Sequence, residues 1–229
     1  SMGIYRLAKS MNKNAYIINS TIGTALENFK EELAKDPEYE DVLISKEVAI
    51  ENVEENTLLV IVDTHKKNYV ESQELLKKTK KIVIIGYHRR SADYIEDVTL
   101  TFQEVYASSA AELVTELLQY TETKVNLKTI EAESLYAGIM MDTKNFTFKT
   151  GVRTFEAAAF LRKCGVDIIK VKKWFQSDLE TYNKISEIVA KSEIIDDTIA
   201  ISIYDKEDSD ANITCAKAAD ELLTISNIT

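Results

Sequence analysis

The chain has 229 residues, 45% of them hydrophobic, and a formal net charge of −10. That is enough length and apolar content for one or two domains with a real core, and it excludes an intrinsically disordered chain. The acidic balance disfavours long nucleic acid as a partner, so an anionic ligand needs local help from groups such as Lys66, Lys67, Arg89, Arg90, Lys149 and Arg153.

In chain order, "AYIIN" (15–19) reads as a short strand, with Ser20-Thr21 able to cap the following helix, "TALENFKEELAKD", which Pro37 closes. "TLLVIVDTH" (57–65) is continuous, apolar and then abruptly polar, the pattern of a strand buried on both faces in a parallel sheet. "NYVESQELLKKT" has a helical period with lysines at its end, and "KIVIIGYH" is a second buried strand. Strand, helix and strand in this order predict a βαβ unit, in which ligands gather beyond the carboxyl ends of the strands. Two strands end there in chemistry, at Asp63-Thr64-His65 and at Gly86-Tyr87-His88.

Ser108-Ser109 opens the helix "SSAAELVTELLQY", and Ser109 with Glu112 has capping-box spacing. A helix over roughly 128–140 runs into "MMDTKNFTFKTGVRTF", and "TFEAAAFLRKCG" is a helix ended by Gly165. "VDIIKVKKWF" and "DLETYNKISEIVAKS" read as helices, "EIIDDTIAISIYD" as a hairpin or a single edge strand, and "DANITCAKAADELL" as a last helix. The domain boundary is expected near residues 175–193. This divides the chain into 1–175 and 176–229. Cys164 and Cys215 read as free thiols, as in the cytosol, and no stretch approaches the roughly 20 apolar residues of a membrane span.

Asp63 directly follows "LLVIV", so it is either a metal ligand at a strand end or a loop or capping carboxylate. His65 and His88, the two histidines, stand at adjacent strand ends, where imidazole serves as ligand or as hydrogen-bonded scaffold. Arg89 and Arg90 offer planar donors to phosphate, or form a solvated basic turn. Asp142, beside Asn145, Thr147, Thr150 and Arg153, could hold metal and phosphate, or lie in a polar interhelical loop. Ser108 and Ser109 could present hydroxyls and helix amides to an anion, or simply cap the helix.

"LLVIVDTHKKNYVES", "IVIIGYHRRSADYIED", "YASSAAELVTELLQY" and "AGIMMDTKNFTFKTGVRTFEAAAFLRKCGVD" together resemble the DHH/DHHA1 phosphoesterases, and more narrowly the membrane-anchored phosphodiesterases of cyclic di-AMP. The resemblance implies an α/β fold: a parallel-sheet DHH-type domain with helices on both faces, followed by a linker helix and an incomplete α/β DHHA1-like unit. It implies a two-manganese site, with Asp63 and Asp142 as metal ligands and His88 as the last His of the Asp-His-His motif, a catalytic position. Around a cyclic dinucleotide or short nucleotide it places His65, Arg89, Arg90, Ser108, Ser109, Asn145, Thr150 and Arg153. A cytosolic domain, in a membrane-anchored parent and able to form a homodimer, completes the expectation. Short-oligonucleotide nuclease and pyrophosphatase are the other activities the family suggests.

The chain departs from that pattern at Gly86 and Tyr87, which stand where the family has Asp and a metal-binding His. The first strand's His and paired aspartates have no match either, because "GIYRLAKSMNKNAYIIN" resembles the segment directly after them. A phenol with an ordinary pKa of about 10 is a poor neutral-pH ligand for manganese. The expected outcome is a phosphodiesterase module that is inactive as given, or a nucleotide-sensing scaffold.

Overall fold

A computed structural model describes residues 1–18, 24–206 and 210–228. The chain divides into two units, Ser1–Phe175 and Gln176–Thr229. The first carries α1 (Met2–Ser10), β1 (Ile17–Ile18), α2 (Thr24–Leu33), β2 (Leu43–Ile44), α3 (Lys46–Glu51), β3 (Leu58–Val62), α4 (Gln73–Lys78), β4 (Lys81–Gly86), β5 (Leu100–Gln103), α5 (Ala110–Tyr120), α6 (Thr129–Asp142), α7 (Val152–Lys163) and α8 (Ile168–Trp174). The capping role expected of Ser20-Thr21 falls outside the described residues.

β3, β4 and β5 form a parallel sheet with β4 in the middle, and β1 pairs with β2, also in parallel. Side chains alternate across β4 as the strand period requires. Ile85, with Val83, faces a core built from Leu113, Val114, Leu135 and Ile139 of α5 and α6. Ile82 and Ile84 face the opposite way, against Ile61, Ile95 and Leu76 of α4. The sheet is thus apolar on both sides, and each buried Ile or Leu contributes about 1.5–3 kcal/mol relative to an exposed one.

β3 is less enclosed than its apolar run suggests. Only Ile61 of its five residues is buried, because among the described residues β3 has a sheet partner on one side alone. The helix expected over 68–79 is also shorter. A 3-10 turn at Lys67–Tyr69 precedes α4, and the Ser72 hydroxyl starts that helix by accepting the Leu75 N–H. β5 was not legible as a strand, since "LTFQ" has no continuous apolar run and Leu100 is exposed.

Two helix details bear on the site. Gly138 lets α6 approach α5 closely, because a Cβ there would sit 2.9 Å from the Ala111 methyl. α6 also runs two residues past the expected end, which makes Asp142 its last residue rather than part of the following loop. Buried charge fastens this helix layer. Glu131, fully buried, accepts from Arg6 at 2.8–2.9 Å, from the Tyr39 hydroxyl at 2.9 Å and from the Lys128 N–H at 3.0 Å. Glu133, also buried, meets Lys170 at 2.9 Å.

The second unit holds α9 (Leu179–Ala190), the antiparallel pair β6 (Glu193–Ile195) and β7 (Ile199–Ile201), and α10 (Ala211–Leu222). Asp178 caps α9 through the Thr181 N–H. Asp196 and Asp197 turn the hairpin at φ 50° and 58°, the left-handed conformation that Asp tolerates best after Gly and Asn. Ile185, Ile188 and Ala218 form its small core.

Candidate functional site

The carboxyl ends of β3 and β4 converge on one cluster. Asp63 extends the ladder by one residue, its N–H donating to the Ile85 carbonyl at 2.8 Å. It then turns at φ 78°, a conformation that costs a non-glycine residue about 1–2 kcal/mol and is found preferentially at functional positions. Gly86 lies alongside, where a Cβ would be 3.3 Å from the Asp63 carbonyl oxygen. His88 Nε2 stands 3.5 Å from Asp63 Oδ1, with both side chains more than half exposed. The Tyr87 and His88 rings lie 4.3 Å apart.

Asp142 enters from the end of α6. Tyr87 lies close to its carboxylate. Burial, and then the charge of Asp63, raise the Asp142 pKa from 3.8 to about 6, against the pull of Tyr87, His88 and Lys149. Burial and the two carboxylates push the Tyr87 phenol upward, which keeps it protonated as a donor. Asp63, Tyr87, His88 and Asp142 therefore form one electrostatic unit.

The other candidates divide. His65 is buried, and its Nε2 accepts the Ser91 N–H at 3.1 Å. Burial, then the His88 charge, hold its pKa below the usual histidine value. Arg90 lies over the Tyr94 ring, 3.5 Å from its centroid, and both Arg89 and Arg90 are exposed. Ser109 caps α5, accepting the Glu112 N–H at 3.0 Å. The returning arm of the capping box is displaced by one residue, since the Glu112 carboxylate receives the N–H and hydroxyl of Ser108 instead. Both serines are buried and engaged within the chain. Arg153 makes a two-pronged pair with Glu116 at 2.6 Å and faces Glu104 at 3.8 Å, beside a groove of about 350 Å³ between α5 and α7. Thr150 is half-buried.

Asn145 is exposed, in a run of three left-handed residues, Lys144, Asn145 and Phe146. The N–H groups of this turn are spent on Met140, Met141 and Thr143, so it forms no anion-binding nest. Sequence reasoning missed the internal partners Glu116 for Arg153 and Ser91 for His65, and the nearness of Tyr87 to Asp142. The signal for the last was present in "HRRSAD", a short polar run returning toward the strand end.

A DHH-type metal site can be tested against these donors. Two divalent ions need roughly six protein ligands. The cluster supplies two carboxylates and one imidazole, and its phenol is held protonated against one of those carboxylates. Among the described residues no group of three or more His, Cys, Asp or Glu side chains could hold a metal ion. These residues do not fit a two-manganese centre.

A parallel sheet packed by helices, with Asp63 at a strand end and Asp142 at a helix end, defines an α/β domain whose candidate site lies at the carboxyl edge of its sheet. The model of the DHH family, N-terminal domain, matches residues 1–139, and the chain belongs to the DHH family. It is 37% identical, along its whole length, to the cyclic-di-AMP phosphodiesterase PdeA of Listeria monocytogenes. Its identity to the cyclic-di-AMP phosphodiesterase GdpP of Bacillus subtilis is 38%, again along its whole length. The chain spans 35% of the length of each of these relatives. Among solved structures, an exopolyphosphatase-related protein from Bacteroides fragilis superposes with a TM-score of 0.81 at 17% identity, covering 100% of this chain and 68% of that one. This last likeness supports the fold, as expected from the sequence. No helix among the described residues is long and apolar enough to cross a membrane.

Proposed function

We propose that this chain is a cyclic-dinucleotide module of the DHH phosphodiesterase type that binds its ligand without hydrolysing it. The relatives named for cyclic-di-AMP hydrolysis supply the ligand class. The observation that carries the absence of turnover is the thin donor set: among the described residues no group of three or more His, Cys, Asp or Glu side chains could hold a metal ion, and Tyr87 stands where the resemblance expects a metal-ligating imidazole. Arg89 and Lys149 bring positive charge to the ligand's phosphodiesters. Asp63 and Asp142 oppose that attraction. Manganese, the family's expected cofactor, has too few donors here to supply a nucleophilic hydroxide. The same reading takes residues 176–229 as part of a DHHA1-like unit and sets the module in the cytosol, within a membrane-anchored protein.

Calorimetry with cyclic di-AMP, and chromatography of its products with and without manganese, test this. The expected result is binding with no linear dinucleotide formed. A Gly86→Asp/Tyr87→His variant is expected to gain manganese affinity. Hydrolysis by the unaltered chain would overturn the non-catalytic reading, and absence of binding would overturn the ligand.

A further inference from the structure

The sequence offered His65 as a contact for substrate, but its placement suits a different task. It is 5% exposed, and its Nε2 lone pair is already committed to the Ser91 N–H. Because Nε2 accepts, the ring proton belongs on Nδ1. The Ser91 hydroxyl lies 3.1 Å from the same nitrogen and donates to Asp93 Oδ1. Two further ties draw the segment after β4 back onto the end of β3: the Ile95 N–H donates to the His65 carbonyl at 2.8 Å, and Lys66 bridges to Tyr94.

Upstream, the Gln103 amide donates to the His88 carbonyl. The dipeptide Arg89-Arg90 is therefore strung between two anchors, the His88 carbonyl and the Ser91 N–H. Both arginines are exposed, but Arg90 packs over the Tyr94 ring, whereas Arg89 makes no such contact among the described residues.

We propose that His65 is a positioning residue: through Ser91 it fixes the backbone of the Arg89-Arg90 turn and so aims Arg89 at a phosphate of the bound ligand. This rests on the phosphodiester-binding reading above, and it removes His65 from the set of groups touching the ligand. The substitution His65→Gln would place an amide oxygen, also an acceptor, where Nε2 stands, whereas His65→Ala would leave the Ser91 N–H without its partner. The side chain acts through one hydrogen bond, so its influence on affinity should vanish once Arg89 is absent.

The test uses His65→Ala, His65→Gln, Arg89→Ala and the His65→Ala/Arg89→Ala double variant of the full chain. Amide hydrogen exchange at Ser91, read by NMR, reports the bond itself. Calorimetry with inorganic pyrophosphate reports the arm, and cyclic di-AMP is titrated in parallel. His65→Ala is expected to speed Ser91 exchange and to weaken pyrophosphate binding about fivefold, with His65→Gln restoring both. Arg89→Ala is expected to weaken binding about tenfold, and the double variant no further, a non-additivity that purely structural damage would not produce. Unchanged Ser91 exchange in His65→Ala, failure of His65→Gln to rescue, or additive losses would each overturn the proposal. A wild-type chain that binds pyrophosphate but not cyclic di-AMP would sink the ligand assignment and leave the positioning role standing.

Discussion

Replacing Asp142 by Asn should stabilise the chain at alkaline pH and do little at acid pH. Asp142 sits at the end of α6 with its pKa raised to about 6, chiefly by burial and secondly by the charge of Asp63. Its folded pKa lies above the unfolded value, so the folded state binds the proton more tightly. The stability this lends is fully present below the ordinary 3.8 and is lost as pH rises through about 6. At about 1.4 kcal/mol for each tenfold in proton affinity, the ceiling is about 3 kcal/mol. Partial exposure of the carboxyl reduces this to about 1–2 kcal/mol. Asn matches Asp in size and keeps a polar amide beside Tyr87, so the substitution removes the charge with little other change. Urea unfolding of both proteins, in chelator, at about pH 4.5 and about pH 8 measures the difference. A gain of equal size at the two values, or a loss at alkaline pH, would refute the claim that Asp142 ionises against its surroundings.

Three further perturbations follow from the packing. Ser109→Ala removes the cap of α5 and should cost about 1 kcal/mol by thermal or urea unfolding, with protection lost first at the Glu112 amide. Arg6→Ala leaves buried Glu131 with only the Tyr39 hydroxyl and the Lys128 N–H, and should cost about 3–5 kcal/mol, read as a lowered urea midpoint. Gly86→Ala forces a methyl to 3.3 Å from the Asp63 carbonyl oxygen, so about 1 kcal/mol should be lost and the Asp63 amide resonance should move; a neutral variant with an unmoved resonance would contradict the crowding.

What the sequence revealed is what short-range patterns encode. The runs ending at Val62 and Gly86 announced parallel strands, and the polar residues after them announced the place where Asp63 and His88 meet. The cap at Ser109 was legible because it acts on an amide only three residues ahead. Long-range pairings were not. Nothing local to Tyr87 says that α6 will bring Asp142 beside it, and nothing near Arg153 says that Glu116 will hold both prongs of its guanidinium. Residues that looked like free donors therefore turned out to have partners, and Glu131, a charge buried by tertiary packing, carried no signal at all.

The site keeps its geometry through the backbone rather than through its charges. Backbone topology alone brings the ends of β3 and β4 together, since the Asp63 N–H to Ile85 bond and the parallel register need no ion. The charge of Asp63 acts on Asp142, a repulsion that a nearby cation would relieve. The neighbouring Tyr87 offsets part of it. The remainder shows as the raised Asp142 pKa. On the reading proposed above, Tyr87 in the place of an imidazole removes a metal ligand and leaves the backbone frame of the cluster intact. The site would then respond to protons and anions rather than activate water.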